Sequence, residues 1–201
     1  RIPIFDDRVA AVRVTEDPVA ALDEAEDGDW PLGLVPERDR SDRYLGYDPE
    51  TVAEIADAAP GATLVKADGA RLREFKAPGE REPQIPANAD VVVPIASAHV
   101  VGEPLTDDLV HRPEAVAAIT GRDIGDEIRP ADVATVLASP AGGLKGVPGG
   151  ATAIPIVNKA DDEADAAAAR SVAREVLYRA DVPRVLLTRL VADDPVVEVV
   201  E

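Results

Sequence analysis

The segment "GATAIPIVNKADD" (residues 150–162) joins an apolar run to a polar stretch, and it largely determines the fold that we expect. Short runs rich in Val, Ile and Leu that end at polar or turn residues are typical of strands buried in a parallel sheet. Three further runs have this character, at 61–65, 89–96 and 184–191, and "VVEVVE" (196–201) is compatible with a last strand.

Prolines interrupt two of these runs: Pro94 lies in the run 89–96, and Pro155 lies in the run of the opening segment. Proline has no backbone N–H to donate to a neighbouring strand. Each of these residues should therefore lie at a bulge, a strand end or a sheet edge.

Helical patterns lie between the apolar runs. Asp48 and Pro49 have the character of an N-cap and a first helical residue, and this helix should stop at Pro60. Three more helices are predicted, from Pro113 to Gly121, from Pro130 to before Pro140, and over residues 162–180.

Strands that alternate with helices predict an α/β fold, with a mostly parallel sheet flanked by helices on both faces. The length of 201 residues fits a single domain over 1–201. The polar stretch 36–49 is either a long surface loop or a weak boundary.

The composition is strongly acidic, with 39 Asp and Glu against 21 Lys and Arg and a formal net charge of −18. The acids are spread along the chain, and arginine outnumbers lysine 17 to 4, which indicates adaptation to a salt-rich cytoplasm. This charge argues against nucleic acid and anionic membranes as partners. No apolar run is long enough to span a bilayer, no secretory signal is visible, and there is no cysteine.

The few lysines draw attention because surface lysine is otherwise avoided. Each of them sits in or beside a turn-rich segment after an apolar run, where an ammonium group could hold a phosphate; they are Lys66, Lys76, Lys145 and Lys159. The alternative is that four loop lysines have no common purpose.

The run in the opening segment, residues 150–158, ends at Asn158, and Lys159 and Asp161 follow it, which gives an Asn-Lys-x-Asp pattern. At this spacing the Asp carboxylate can accept hydrogen bonds from the N1–H and amino group of guanine, which predicts a base-binding role. The alternative is that Asp161 or Asp162 caps the helix over 162–180.

Asp68 and Gly69 follow the first run, where nucleotide hydrolases carry a Mg²⁺-facing acid and a glycine that senses the γ-phosphate. We therefore predict Asp68 and Gly69 as catalytic and Asp68 as the metal ligand, the alternative being an ordinary turn. His99 and His111 are the only histidines, and without cysteine they predict no zinc set.

Four segments, in this order, carry a family resemblance: "KADGARLREFKAPGEREPQIP" (66–86), "VHRPE" (110–114), "GGLKGVP" (142–148) and "NKADD" (158–162). Over about residues 45–165 the chain resembles the YqeC-type family, accessory proteins of selenium-dependent molybdenum hydroxylases. The resemblance implies a P-loop-NTPase-like, nucleotide-binding fold and a role in maturing those hydroxylases. With the Asn-Lys-x-Asp pattern and Asp68, we expect the nucleotide to be GTP more than ATP and to be bound with Mg²⁺.

From the lysine argument above, we expect Lys66, Lys76 and Lys145 to contact an anion, phosphate or cofactor. His111 and Arg112 match a His-Arg-Pro segment of the family, which implies a phosphate or partner contact for them, although they can equally form the entry turn of a helix. Two departures stand out. Lys66 replaces a family glutamate, and residues 1–201 contain no Gly-x-x-x-x-Gly-Lys-[Ser/Thr] phosphate loop, which we expect upstream. The alternative function is a non-hydrolysing carrier or docking module for a molybdenum or selenium cofactor, or for the hydroxylase apoprotein.

Overall fold

The computed structural model describes residues 2–201. The strands are β1 (Ile2–Pro3), β2 (Ala11–Val14), β3 (Leu32–Val35), β4 (Arg38–Arg40), β5 (Arg43–Tyr44), β6 (Phe75–Lys76), β7 (Val91–Val92), β8 (Ile95–Ser97), β9 (Val110–His111), β10 (Thr152–Ala153), β11 (Ile156–Asn158), β12 (Val185–Thr188) and β13 (Val196–Val200). The helices are α1 (Pro18–Asp23), α2 (Pro49–Ala58), α3 (Pro113–Thr120), α4 (Pro130–Leu137) and α5 (Glu163–Arg179).

The chain divides into two compact units, and the prediction of a single domain stays a prediction. The first unit comprises the described residues up to Gly69 together with Gln84–Asn88. It contains the parallel pair β2–β3, the antiparallel sheet β1–β5–β4, and the packed helices α1 and α2. The stretch 36–49 thus holds two paired strands rather than a bare loop.

The second unit comprises Ala70–Pro83 and Ala89–Glu201 and contains the larger core. Its main sheet has the order β13-β12-β11-β8, in which β8, β11 and β12 are parallel and β13 is antiparallel. The α/β prediction is confirmed, but the strands of residues 2–201 form five small sheets instead of one.

Helices cover one face of the main sheet. Val157 and Leu187 point into the core beneath α4 and α5 and are fully buried. In the adjacent row, on the opposite face, Ile95 and Val199 are 53% and 45% exposed. The expectation of helices on both faces is therefore wrong for this sheet, because the outer residues of that row are exposed and its inner residues, Ile156 and Leu186, are only half-buried.

Pro94 and Pro155 lie opposite each other in the parallel register, since Val92 pairs with Ala153 on one side and Ile95 with Ile156 on the other. Both prolines separate short strands, β7 from β8 and β10 from β11. The prediction that they occupy strand ends is confirmed.

The predicted strand at 61–65 is wrong. Residues 61–69 form no ladder, and Leu64 is 96% exposed. An apolar run becomes a strand only when a neighbouring strand pairs with it and its side chains find a core, and within residues 2–201 this run has neither.

The helix predictions are confirmed, and local capping explains them. The Asp48 carboxylate accepts hydrogen bonds from the backbone N–H of Glu50 and Thr51 at 3.1 and 2.9 Å. Proline opens α2, α3 and α4, and Gly121 ends α3 in the left-handed conformation. Sequence patterns missed α1 and the pair β2–β3 in the less regular N-terminal stretch.

Candidate functional site

Glu82 lies at the centre of a cationic cluster in the second unit. Its Oε2 accepts from Lys76 Nζ at 2.8 Å and from Arg112 Nη1 at 2.6 Å, while Oε1 accepts from Arg112 Nη2 at 3.1 Å. The backbone N–H of Gly79 donates to the same Oε2 at 3.2 Å. These contacts join the 76–82 loop to the start of α3.

Arg112 reaches this position through an unusual backbone conformation. It precedes α3 with φ 63° and ψ 63°, in the left-handed region that L-residues avoid. This conformation costs roughly 1 kcal/mol for a residue other than glycine. The two-pronged ion pair with Glu82 offsets that cost, and such strain is often found at functional positions.

Lys145 holds the other side of the same loop. Its Nζ donates to the backbone carbonyls of Gly79 at 2.5 Å and of Glu80 at 3.2 Å. Neutral carbonyls leave its positive charge uncompensated. The "GG" before it is required by close packing, because a Cβ on Gly142 would lie 2.1 Å from the Val136 carbonyl oxygen at the end of α4.

The pKa of His111 is lowered by burial and, in part, by the positive charges around it. Burial, followed by the nearby charges of Arg112, Arg71 and Lys76, lowers the pKa of His111, and Glu82 opposes this only in part. The cluster of Lys76, Arg112 and Lys145 around Glu82 is thus a locally positive site in a chain of net charge −18. We call it the cationic cluster.

The Asn-Lys-x-Asp segment follows β11, as predicted. Asn158 Oδ1 accepts from Thr188 Oγ1 at 3.0 Å and from the Leu190 N–H at 3.1 Å, which ties this loop to the end of β12. Lys159 has φ 63° and donates to both carboxylate oxygens of Glu74 at 2.7 and 2.8 Å.

Asp161 and Asp162 play different parts. Asp162 is the N-cap of α5, with Oδ1 accepting from the Asp165 N–H at 2.9 Å. The Asp161 carboxylate is 43% exposed and lies 3.4 Å from His99 Nε2. The helix-capping alternative therefore holds for Asp162 and leaves Asp161 available to a ligand.

Lys66, Asp68 and Gly69 belong to the first unit, whereas the cationic cluster and the Asn158 loop belong to the second. Lys66 Nζ donates to the Asp68 carbonyl at 2.9 Å, and Asp68 Oδ1 accepts from the Gly69 N–H at 2.6 Å. These are the contacts of a local turn, and the strand expected before them is missing.

The Mg²⁺ role of Asp68 requires further ligands. Mg²⁺ is commonly held by one or two carboxylates together with substrate phosphates. Within residues 2–201 Asp68 is not part of a group of three potential protein ligands. Asp68 therefore fits Mg²⁺ only if the nucleotide supplies phosphate oxygens.

Sequence reasoning missed one grouping. His99 Nε2 lies 3.3 Å from Asp165 Oδ2 and 3.4 Å from Asp161 Oδ2, and the ligand atoms of the three residues lie within 4.8 Å of one another. The signal was present, because His99 and Asp161 follow the strands predicted at 89–96 and 150–158. Neighbouring parallel strands bring their carboxyl ends together.

These features define an α/β protein with loop clusters of opposite charge in its second unit. The model of the family described as YqeC protein matches residues 5–114, and the chain belongs to this family. It is 29% identical over 146 residues to "Uncharacterized protein YqeC" of Escherichia coli (strain K12). That match covers 72% of this chain but only 57% of the relative's length. No solved structure matches the chain.

No helix within residues 2–201 has both the length and the apolar character needed to cross a bilayer.

Proposed function

We propose that this chain is a nucleotide-binding accessory protein, with GTP preferred, that acts in the cytoplasm in the maturation of selenium-dependent molybdenum hydroxylases. The cationic cluster is the observation that carries the proposal. Lys76 and Arg112 meet at the Glu82 carboxylate, and Lys145 binds backbone carbonyls of the same loop, in a chain that otherwise repels anions. A phosphate group is the ligand such a cluster suits best.

Glu82 prepares the cluster for an anion. It holds Lys76 and Arg112 in place, and among the described residues Lys145 donates to carbonyl oxygens rather than to a carboxylate, so the three cations exceed the negative charge of Glu82. An incoming phosphate then binds cations that are already ordered, which lowers the entropy lost on binding.

The proposal includes a P-loop-NTPase-like arrangement for the complete nucleotide site. Residues 1–201 contain no phosphate-loop motif, so phosphate binding by this chain rests on the cationic cluster, and hydrolysis is not part of the proposal. The Mg²⁺ role of Asp68, which lies in the first unit, stays a separate prediction. Asp161 would select guanine, because adenine has no amino group at that edge, while Asn158 and Lys159 fix the loop.

Calorimetric titration of GTP, ATP and a molybdenum-cofactor dinucleotide into the full chain, in molar KCl with Mg²⁺, tests the proposal. Lys145→Ala should weaken binding by about ten- to a hundredfold, since a charge-assisted hydrogen bond contributes roughly 1.5–3 kcal/mol. Lys145→Arg keeps the charge and should retain most of the affinity, and Arg174→Ala removes a cation elsewhere. Equal binding by all of these variants would contradict the proposal.

A second function is favoured by the same Glu82 contacts. Lys76 and Arg112 already bind Glu82, and these contacts hold the 76–86 loop in one conformation. The chain would then be a non-hydrolysing docking module, and this loop would bind the hydroxylase apoprotein or its cofactor. A native chain that binds no nucleotide, yet binds the apoprotein or the cofactor dinucleotide, would support this alternative.

A further inference from the structure

Beyond the nucleotide, we propose that His99, Asp161 and Asp165 form a binding site for a divalent transition-metal ion, with Zn²⁺ as the occupant. One imidazole and two carboxylates converge there from three segments: the turn after β8, the loop after β11, and the first turn of α5. Neither the family match nor the named relative assigns a metal to these residues.

The distances fit tetrahedral coordination. Zn²⁺ lies about 2.0–2.2 Å from imidazole nitrogen and carboxylate oxygen, which sets a ligand-to-ligand edge of roughly 3.3–3.5 Å in a tetrahedron. His99 Nε2 lies 3.4 Å from Asp161 Oδ2 and 3.3 Å from Asp165 Oδ2. The third pair of ligand atoms lies within 4.8 Å, which a rotation of one carboxylate closes.

Among the described residues, the carboxylates of Asp161 and Asp165 neither cap a helix nor bind another cation. Asp162, and not its neighbours, caps α5. The carboxylates of Asp161 and Asp165 have His99 as their partner and accept no other hydrogen bond within residues 2–201. The two carboxylates bring negative charge to the group, which a divalent ion neutralises.

The donor set also indicates which ions should bind. Imidazole favours Zn²⁺ and Co²⁺ over Mg²⁺, which prefers an octahedral shell made of oxygen. Three protein ligands leave the fourth tetrahedral position for water or an incoming ligand. The site lies at the carboxyl ends of β8 and β11, where parallel sheets bind their ligands.

This inference does not depend on the proposed function. Asp161 is shared with the predicted guanine contact, but His99 and Asp165 are not. Metal binding that disappears in His99→Gln while GTP binding persists separates the two sites.

Co²⁺ is the probe, because tetrahedral Co²⁺ absorbs visible light far more strongly than octahedral Co²⁺. The metal-stripped full chain is titrated with CoCl₂ in molar KCl, which screens non-specific binding to the acidic surface. We expect one intensely absorbing Co²⁺ per chain, displaced by Zn²⁺ but not by Mg²⁺. His99→Gln and Asp165→Asn should each lower the affinity by tenfold or more.

His111→Gln and Asp107→Asn are matched controls, because they remove the other histidine and an exposed acid outside the group. Both should keep the native spectrum, and circular dichroism confirms that every variant is folded. The inference is overturned if the native chain shows only the weak octahedral spectrum, or if all variants bind Co²⁺ alike.

Discussion

Arg112 and Glu82, thirty residues apart, form a two-pronged ion pair, with Nη1–Oε2 at 2.6 Å and Nη2–Oε1 at 3.1 Å. The pair joins the proline-rich 76–86 loop to the first residue before α3. It also turns two motifs of the sequence, the "KAPGE" loop and the "HRP" segment, into one cluster. The stability of this cluster and its affinity for ligands can be measured separately.

The acid stability of the chain should depend on Glu82. Hydrogen bonds from Arg112 outweigh burial and, with Lys76 and the Gly79 N–H, hold the pKa of Glu82 below its ordinary value of 4.5. The native state therefore takes up this proton less readily than the unfolded state. The stabilisation is complete above pH 4.5 and is lost as the pH falls through the lowered pKa.

Thermal unfolding of the native chain and of Glu82→Gln, measured at a series of pH values, checks this. The difference in melting temperature between the two proteins should be largest near neutral pH and shrink in acid. A difference that does not change with pH would rule out the Glu82 ion pair as its source.

Lys76→Ala should lower stability, contrary to what an exposed loop lysine would do. The Lys76 side chain is only 13% exposed and is bound to Glu82. Its loss leaves part of a half-buried carboxylate without its partner, so we expect a decrease of about 1–3 kcal/mol in the free energy of unfolding. Lys66→Ala is the matched control, because Lys66 is exposed and contacts only a carbonyl in its own turn. Chemical denaturation that finds the two variants equal would contradict the assignment.

The proposed guanine site predicts that base choice depends on Asp161. Asp161→Asn should weaken GTP binding and improve binding of xanthosine triphosphate, because the amide matches the altered base edge. Loss of one charged hydrogen bond costs roughly 1.5–3 kcal/mol. Mg²⁺ is the only divalent ion in these titrations, so that no transition-metal ion binds Asp161 together with His99 and Asp165. Equal affinity of the native chain for ATP and GTP would argue against a guanine site.

Asp132 is a structural acid rather than a functional one. It is 4% exposed at the start of α4 and accepts from Arg122 Nε at 3.1 Å and from Arg129 Nε at 2.9 Å. Burial alone would raise the pKa of Asp132, but the hydrogen bonds from Arg129 and Arg122 lower it overall.

Asp132→Asn should therefore reduce the free energy of unfolding by roughly 2 kcal/mol. Asp126→Asn is the comparison, since Asp126 meets Arg122 at 3.5 Å and is 43% exposed, and its loss should cost less than about 1 kcal/mol. Urea denaturation of both variants gives the two values, and a smaller effect for Asp132 would show that the buried pair is not stabilising.

Local chemistry made the helices predictable. The caps at Asp48 and Asp162, and the proline that opens α4, act on neighbouring residues within one turn. The absence of a strand at 61–65 was not predictable in this way, because pairing depends on residues far along the chain. Leu64 has strand-like chemistry but no partner in the described chain.

The candidate sites also differ in whether they depend on neighbouring residues or on long-range pairing. The Asn158 loop was found from contiguous residues, and its position after β11 is confirmed. His99 and Asp161 each follow a predicted strand, but spacing alone did not identify their group, since the two residues become neighbours only when β8 pairs with β11. The order of parallel strands is a property of the whole fold.

The facing prolines, Pro94 and Pro155, have a consequence for hydrogen–deuterium exchange. Neither carries an amide proton, so this row contributes no exchange signal from its own residues. The Ile154 N–H, bonded to the Val92 carbonyl, reports on the short pair β7–β10, and the Ile156 N–H, bonded to the Pro94 carbonyl, reports on the main sheet. The pair β7–β10 can thus open without opening the main sheet. We expect slow amide exchange at Ile156, in the main sheet, and faster exchange at Ile154, beside the short pair.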